Sequence, residues 1–330
     1  MQSQAKQAII AVVIPCYRVT KHVLDVLSKT GEEVSFIFVV DDACPEDSGN
    51  FVKNHCLDAR VVILHNLQNL GVGGAVMTGY KAAIEAGADI IVKIDGDGQM
   101  DPRLIPDFIA PIIAGEADYT KGNRFFDLEK IRSMPKRRLF GNAVLSFMTK
   151  FSSGYWDLFD PTNGYTAIHA DVARHLCFEK ISRRYFFETD MLFRLNTLRA
   201  VVLDIPMDAH YGDEESNLEI SKIIGEFLFK HFRNFLKRIF YNYYLRDMSL
   251  ASLELPLGLL FFISGSGFGI YHWINSLQSG IPTSAGTVML AALPMLIGLQ
   301  LLLSFLAYDI SNIPRKPFHK LRRSLISRST

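Results

Sequence analysis

The residues of this chain with the clearest capacity for chemistry lie in positions 92–102, VKIDGDGQMDP, where an apolar run ends in Asp95, Asp97 and Asp101. Carboxylates this close repel one another and resist desolvation, so a metal ion, a cluster of basic side chains or open water must compensate them. Asp95 and Asp97 alternate across Gly96 and can turn into one crevice at a strand end, where Gln99 adds another oxygen on the same loop. Oxygen ligands of this kind suit Mg2+ or Mn2+ held jointly with substrate phosphates. The plainer alternative is a solvated acidic turn, since Asp-Gly-Asp-Gly is also ordinary turn composition. Asp101, just before Pro102, reads as a turn residue.

Other polar groups compete for the same chemistry. Asn69-Leu70-Gly71-Val72-Gly73-Gly74 follows a strand and opens a helix, as a dinucleotide-binding turn would. The G-x-G-x-x-G spacing fails at Val76, and the turn follows the third strand rather than the first, which argues against a nicotinamide or flavin enzyme. Asn69, Gly71 and Gly74 are expected instead where backbone approaches a phosphate or sugar. Glu188 and Asp190, in Phe-Phe-Glu-Thr-Asp, are candidates for a general base. They are equally readable as helix N-terminal acids favoured by the dipole.

These residues need elements to position them. Val/Ile-rich runs at 9–14, 35–40, 61–65 and 90–94 alternate with helical stretches near 20–30, 47–57 and 73–86. Strands apolar on both faces and spaced by helices predict a parallel α/β sheet with covered faces, in which ligands bind at the carboxyl ends of strands. Pro15-Cys16-Tyr17, Asp41-Asp42 and Asp95-Gly96-Asp97 all fall at such ends. Further on, 126–155 is basic and helix-prone, strands are expected at 165–169 and 200–205, and a helix near 187–199.

The last third changes character. In 218–240 apolar residues recur at i, i+3, i+4 with Lys222, Lys230, Arg233, Lys237 and Arg238 mainly opposite, as in a helix at a membrane interface. Residues 255–274 and 286–308 carry no Asp, Glu, Lys or Arg, and each has about the 20 residues that cross a bilayer. Basic residues flank the pair on both outer sides, which predicts cytoplasmic ends and an outward connector at 275–285. Gly265, Gly267 and Gly269 offer small-residue faces for span–span or subunit contacts, a route to a homo-oligomer. The expected division is therefore 1–215 catalytic, 216–248 interfacial, 249–310 two spans, and 311–330 a basic cytoplasmic tail.

Composition sets outer bounds. The 330 residues include 35 Lys and Arg against 34 Asp and Glu, so no global charge favours nucleic acid. Cys16, Cys44, Cys56 and Cys177 show no CxxC pairing and fit reduced thiols. The N-terminal apolar run is broken at Pro15 and reads as a first strand rather than a signal peptide.

The ordered motifs VVIPCY (12–17), VVDDACPEDS (39–48), NLGVGGAVMTGYKAA (69–83), KIDGDGQMDP (93–102), GNRF (122–125) and DPTNGYTAIHADV (160–172) resemble the inverting GT-A glycosyltransferases of family 2. Within these the chain is most similar to dolichol-phosphate-mannose synthases and bacterial polyprenyl-phosphate glycosyltransferases, over about residues 8–215 and in its two spans. The resemblance implies a GT-A domain on the cytoplasmic (inner) membrane that moves a sugar from a nucleotide-sugar, UDP- over GDP-, to a polyprenyl phosphate. It implies that Pro15, Tyr17, Asp41 and Asp42 line the base and ribose pocket, and that Asp95, Asp97 and Gln99 bind Mg2+ or Mn2+ and the diphosphate. Arg124 and the Lys136-Arg137-Arg138 cluster would hold diphosphate oxygens and the acceptor phosphate, for which planar guanidinium donors are suited.

Two segments depart from the family pattern. Its Y-N-E is Tyr17-Arg18-Val19 here, and its basic G-x-S-K segment is the acidic 211–216. The Q-x-x-R-W of polymer-extruding synthases is absent. Transfer to a lipid or glycolipid hydroxyl, using Glu188 or Asp190, and a non-catalytic sugar-nucleotide-binding scaffold remain as alternatives.

Overall fold

The structure is a computed structural model that describes residues 8–126, 136–208 and 220–321, with backbone alone for 136–138 and 220–224. By internal contacts the chain forms two units, one of Met1–Phe235 with Pro314–Thr330 and one of Leu236–Ile313. The contact breaks thus fall at 235/236 and 313/314.

The first unit is built on seven strands: β1 (Ile10–Cys16), β2 (Phe36–Asp41), β3 (Val61–His65), β4 (Ile90–Lys93), β5 (Tyr119–Asn123), β6 (Thr166–His169) and β7 (Val202–Pro206). They form one sheet in the order β3-β2-β1-β4-β6-β5-β7, parallel except where β6 runs antiparallel to both β4 and β5. The Val/Ile runs of β1, β2 and β4 are buried on both faces, so their apolar side chains supply the core through non-directional burial. Helices α1 (Val23–Ser28), α2 (Ser48–His55), α3 (Val72–Glu85) and α4 (Ile105–Ile113) follow strands in this half. Then come α5 (Lys136–Ser153), the one-turn α6 (Ala170–Ala173), α7 (Phe187–Thr197) and α8 (Ile220–Phe240).

Two elements fall where the sequence pattern predicts none. β5, Tyr-Thr-Lys-Gly-Asn, is polar by type yet buried throughout. Its polar atoms find partners: Thr120 Oγ1 donates to the Phe108 carbonyl at 2.8 Å, Lys121 to the Asn163 carbonyl, and Asn123 Nδ2 to Asp204 at 3.2 Å. α4 is hidden behind three prolines, Pro102, Pro106 and Pro111. Pro106 stands at the tolerated first turn, and only Pro111 lies inside the helix. Before it Asp101 accepts from Arg103 N at 3.0 Å and caps a 3-10 turn, its expected turn role. The basic stretch expected to be helical over 126–155 is helical from 136 to 153; 127–135 lie outside the described residues, as do 211–216 and the tail from 322.

The second unit holds α9 (Leu250–Ser279) and α10 (Ala285–Ser311), both long and apolar enough to cross a membrane. They overrun the uncharged segments 255–274 and 286–308 and take in Glu254 and Asp309. Both acids have partners: Ser304 Oγ donates to Glu254 at 2.7 Å, while Arg238 pairs with Asp309 at 2.6 and 3.0 Å and Tyr243 OH donates to it at 2.6 Å. Gly265 does sit at the helix–helix contact, where a Cβ would lie 2.7 Å from Met295 N, but Gly267 faces open space.

Candidate active site

Parallel pairing brings the carboxyl ends of β1, β2 and β4 to one edge, with Cys16 opposite Asp41 and Val13 opposite Lys93. A cavity of about 990 Å³ opens there. Pro15, Tyr17, Asp42, Asn69, Gly71, Asp95 and Asp97, all expected from the sequence, line it. So do Arg18, Arg184 and Tyr185, which sequence reasoning did not single out.

Asp41 and Asp42 part company. Asp42 accepts from Leu70 N at 2.9 Å, Gly71 N at 2.8 Å and Asn66 Nδ2 at 2.7 Å, and so ties the loop before α3 to the cavity wall. Asp41 is buried, accepts from Cys44 N at 2.8 Å and Gly49 N at 2.6 Å, and does not line the cavity. The amides of the β2–α2 turn thus engage both oxygens of this carboxylate. The glycines that follow also meet backbone. Gly73 N and Gly74 N donate to the Arg183 carbonyl at 2.8 and 3.3 Å, so the α3 N-terminus is capped by protein. Gly71 has φ +80°, and a Cβ there would lie 2.7 Å from that same carbonyl, so the position requires glycine.

At the tip of β4 the compensator of the acids is partly internal. Lys93 Nζ lies 2.7 Å from Asp95 Oδ1 and 4.0 Å from Glu188 Oε1, with the lysine 1% exposed and Glu188 16%. Burial alone would lower the lysine's pKa, but Asp95, Glu188 and Asp97 together outweigh it and hold the ammonium above its ordinary value. Burial raises the Glu188 carboxyl, with Lys93 and Lys121 pulling against it. The signal for Lys93 was in the sequence: a lysine inside an apolar strand must find a counter-charge. Asp97 Oδ1 accepts from Gln99 N at 3.0 Å, a turn that aims the aspartate; Gln99 does not line the cavity. Among the described residues no three His, Cys, Asp or Glu side chains converge as a metal cage. Two hard carboxylates on one cavity wall nevertheless fit a cation that takes its remaining ligands from phosphate and water.

Arg124 is gripped by the buried Asp160, Nε to Oδ2 at 2.8 Å and a second nitrogen to Oδ1 at 3.1 Å, a bidentate pair that leaves the guanidinium part-exposed. Asp190 is buried and accepts from Ser182 N at 2.8 Å, Asn234 Nδ2 at 3.0 Å and Arg194. Its oxygens tie α7 to the 182 loop and to α8. The side chains of Arg137 and Arg138 lie outside the described residues.

Comparison with known proteins follows this geometry. Residues 11–177 match the profile of glycosyl transferase family 2. The chain belongs to that family. Among its relatives, the UDP-N-acetylglucosamine–dolichyl-phosphate N-acetylglucosaminyltransferase of Methanococcus voltae is 28% identical over 231 residues, 66% of this chain and 92% of the relative. The undecaprenyl-phosphate mannosyltransferase of Micrococcus luteus is 30% identical over 199 residues, 59% of this chain and 81% of the relative. Glucosyl-3-phosphoglycerate synthase from Mycobacterium tuberculosis, solved with Mn2+, UDP-glucose and phosphoglyceric acid, superposes with TM-score 0.52 at 16% identity, over 70% of this chain and 79% of that one. This family 2 glycosyltransferase therefore has the GT-A fold, followed by two helices of span length.

Proposed function

We propose that this family 2 glycosyltransferase moves a sugar from a nucleotide-sugar, UDP-linked in preference to GDP-linked, to a polyprenyl phosphate at the cytoplasmic face of a membrane. The observation that carries the reading is the cavity at the strand ends, walled by Asp42, Asp95 and Asp97, in a chain that also holds two span-length helices. The relatives named above, which act on dolichyl and undecaprenyl phosphates, support the acceptor class. Basic residues outside both spans support a topology with both ends cytoplasmic.

In this reading Pro15, Tyr17 and Asp42 face the nucleoside, and Asn69 and Gly71 shape the wall beside it. Asp95 and Asp97 would hold a divalent cation, Mg2+ or Mn2+, and the Gln99 amide keeps Asp97 turned. When bound, the cation supplies positive charge to the leaving diphosphate. Arg124, fixed by Asp160, adds a second positive group where charge develops, and Arg137 and Arg138 receive the acceptor phosphate. An acceptor phosphate oxygen forms the new bond to the anomeric carbon on the face opposite the nucleotide. The bond from that carbon to the diphosphate oxygen breaks, and the nucleoside diphosphate departs with the electron pair. No base is required, because a phosphate monoester is already largely anionic at pH 7.

Transfer to a lipid hydroxyl is a second reading with one observation in its favour. Burial raises the Glu188 pKa, the direction a general base needs. Purified protein supplied with polyprenyl phosphate, Mg2+ or Mn2+ and a panel of nucleotide-sugars should transfer label into an organic-soluble, mild-acid-labile product. A product stable to mild acid would replace the acceptor with a hydroxyl. Tight nucleotide-sugar binding without transfer would reduce the protein to a scaffold.

A further inference from the structure

We propose that the outer face of α5 is a bilayer-contact surface through which the catalytic domain itself rests on lipid; this builds on the reading that the chain is membrane-bound. The helix is turned inside out for one facing water. Its protein-facing side carries Ser146, Thr149, Ser152 and Ser153, all buried. Its outward side carries Leu139, Phe140, Val144 and Phe147, which are 36%, 72%, 42% and 59% exposed. A surface helix normally buries its apolar stripe and leaves its polar one in solvent. Contiguous exposed apolar patches of this sort mark a contact with something apolar.

Three observations select a bilayer as that partner. Three of the four buried hydroxyls are engaged with protein: Ser146 Oγ donates to the Phe159 carbonyl at 2.9 Å, Ser152 Oγ lies 2.8 Å from His231 Nδ1, and Ser153 Oγ accepts from Tyr155 N at 3.3 Å, so the polar side of α5 is committed inward. The sequence of α5 holds Lys136, Arg137, Arg138 and Lys150 and no acid, a charge pattern complementary to anionic headgroups. Finally, Phe151 stacks on Phe235 of α8 at 4.1 Å, and α8 exposes Leu228, Phe229 and Phe232, so the outward apolar surface continues from one basic helix to the next. A polyprenyl phosphate offers its phosphate at headgroup height, and a domain seated by α5 would meet it there.

The test places a nitrobenzoxadiazole fluorophore at Phe147→Cys or at Leu290→Cys of α10, in the full-length protein carrying Cys56→Ser and Cys177→Ser. The remaining thiols, Cys16 and Cys44, are buried. The protein is placed in nanodiscs of phosphatidylethanolamine and phosphatidylglycerol. Both reporters should be quenched by nitroxide-bearing lipid and shielded from aqueous iodide. Quenching at Leu290 but iodide access at Phe147 overturns the proposal while leaving the membrane reading intact. Iodide access at Leu290 as well overturns both. Shielding of Phe147 that vanishes on dilution into excess lipid assigns the face to a second copy and overturns the lipid assignment. The Phe140→Asp/Phe147→Asp variant should raise KM for long-chain polyprenyl phosphate about tenfold with KM for the nucleotide-sugar unchanged. An equal KM for the lipid would overturn the proposal.

Discussion

The ends of β2 and β4 look alike in sequence, an apolar strand closing in two nearby aspartates, yet their carboxylates are held differently, and of the β2 pair only Asp42 lines the cavity. At β2 the carboxylate of Asp41 is spent on Cys44 N and Gly49 N, and Asp42 is bound by Leu70 N and Gly71 N. At β4 a buried lysine pairs with Asp95, the Gln99 amide donates to Asp97, and both acids line the cavity. Backbone amides fix a carboxylate for good, because leaving a buried N–H unpaired is costly. A lysine side chain leaves the acid's other oxygen available to a ligand. Acid at a strand end therefore marks either scaffold or site, and the donor set decides which.

Asp97→Ala and Asp41→Ala should separate the two cases most sharply. Removing Asp97 should lower kcat about a thousandfold, the scale of losing one group that stabilises leaving-group charge, with little change in melting temperature. Removing Asp41 should cost about 2–4 kcal/mol of stability through two orphaned amides while kcat below the melting transition stays near wild type. Calorimetry and initial rates on the two variants report both quantities. A stability loss in Asp97→Ala with a normal rate, or the converse in Asp41→Ala, would erase the distinction.

Much of this was open to sequence reading. The apolar runs of β1 to β4 mark themselves, since a strand covered on both faces needs Val and Ile at successive positions, and their ends locate the cavity. β5 does not, because Thr120, Lys121 and Asn123 are stabilised by partners 12 to 81 residues away that no local window contains. Asp95 and Asp97 were legible as lining of that cavity. The two amides that hold Asp41 were hidden for the same reason that β5 was missed: they depend on where the chain folds back, and strand-end position is blind to that. Asp190 repeats the lesson, its acid claimed by Ser182 N and Asn234 from other elements.

Lys93→Met sharpens the β4 side. The lysine is the buried counter-charge of Asp95 and Glu188, so its removal should cost about 3 kcal/mol, as when one partner of a buried pair is lost. Adding Mn2+ with nucleoside diphosphate should recover more melting temperature in this variant than in the wild type, because bound ligand replaces the missing charge beside Asp95. Equal ligand shifts in the two proteins would mean that Lys93 and the cation do not share a carboxylate.

Asp204 on β7 offers the mildest test, an acid with one backbone-amide donor where Asp41 has two. Its Oδ2 accepts from Phe159 N at 2.9 Å and Asn123 Nδ2 at 3.2 Å, while Oδ1 is buried without a hydrogen-bond partner among the described residues. Burial pushes its pKa up to about 6 from the ordinary 3.8, against the pull of Phe159 N and Lys121. A folded-state value above the unfolded one means that folding favours the protonated acid. The stability so gained is complete below pH 3.8 and is lost as pH rises through about 6. Asp204→Asn keeps an acceptor for Phe159 N and never ionises. Its melting temperature minus that of the wild type should climb between those two pH values and then level off, other titrations cancelling in the difference. A flat difference would show that the folded protein accommodates the Asp204 anion as well as water does, and that one backbone and one side-chain amide are donors enough.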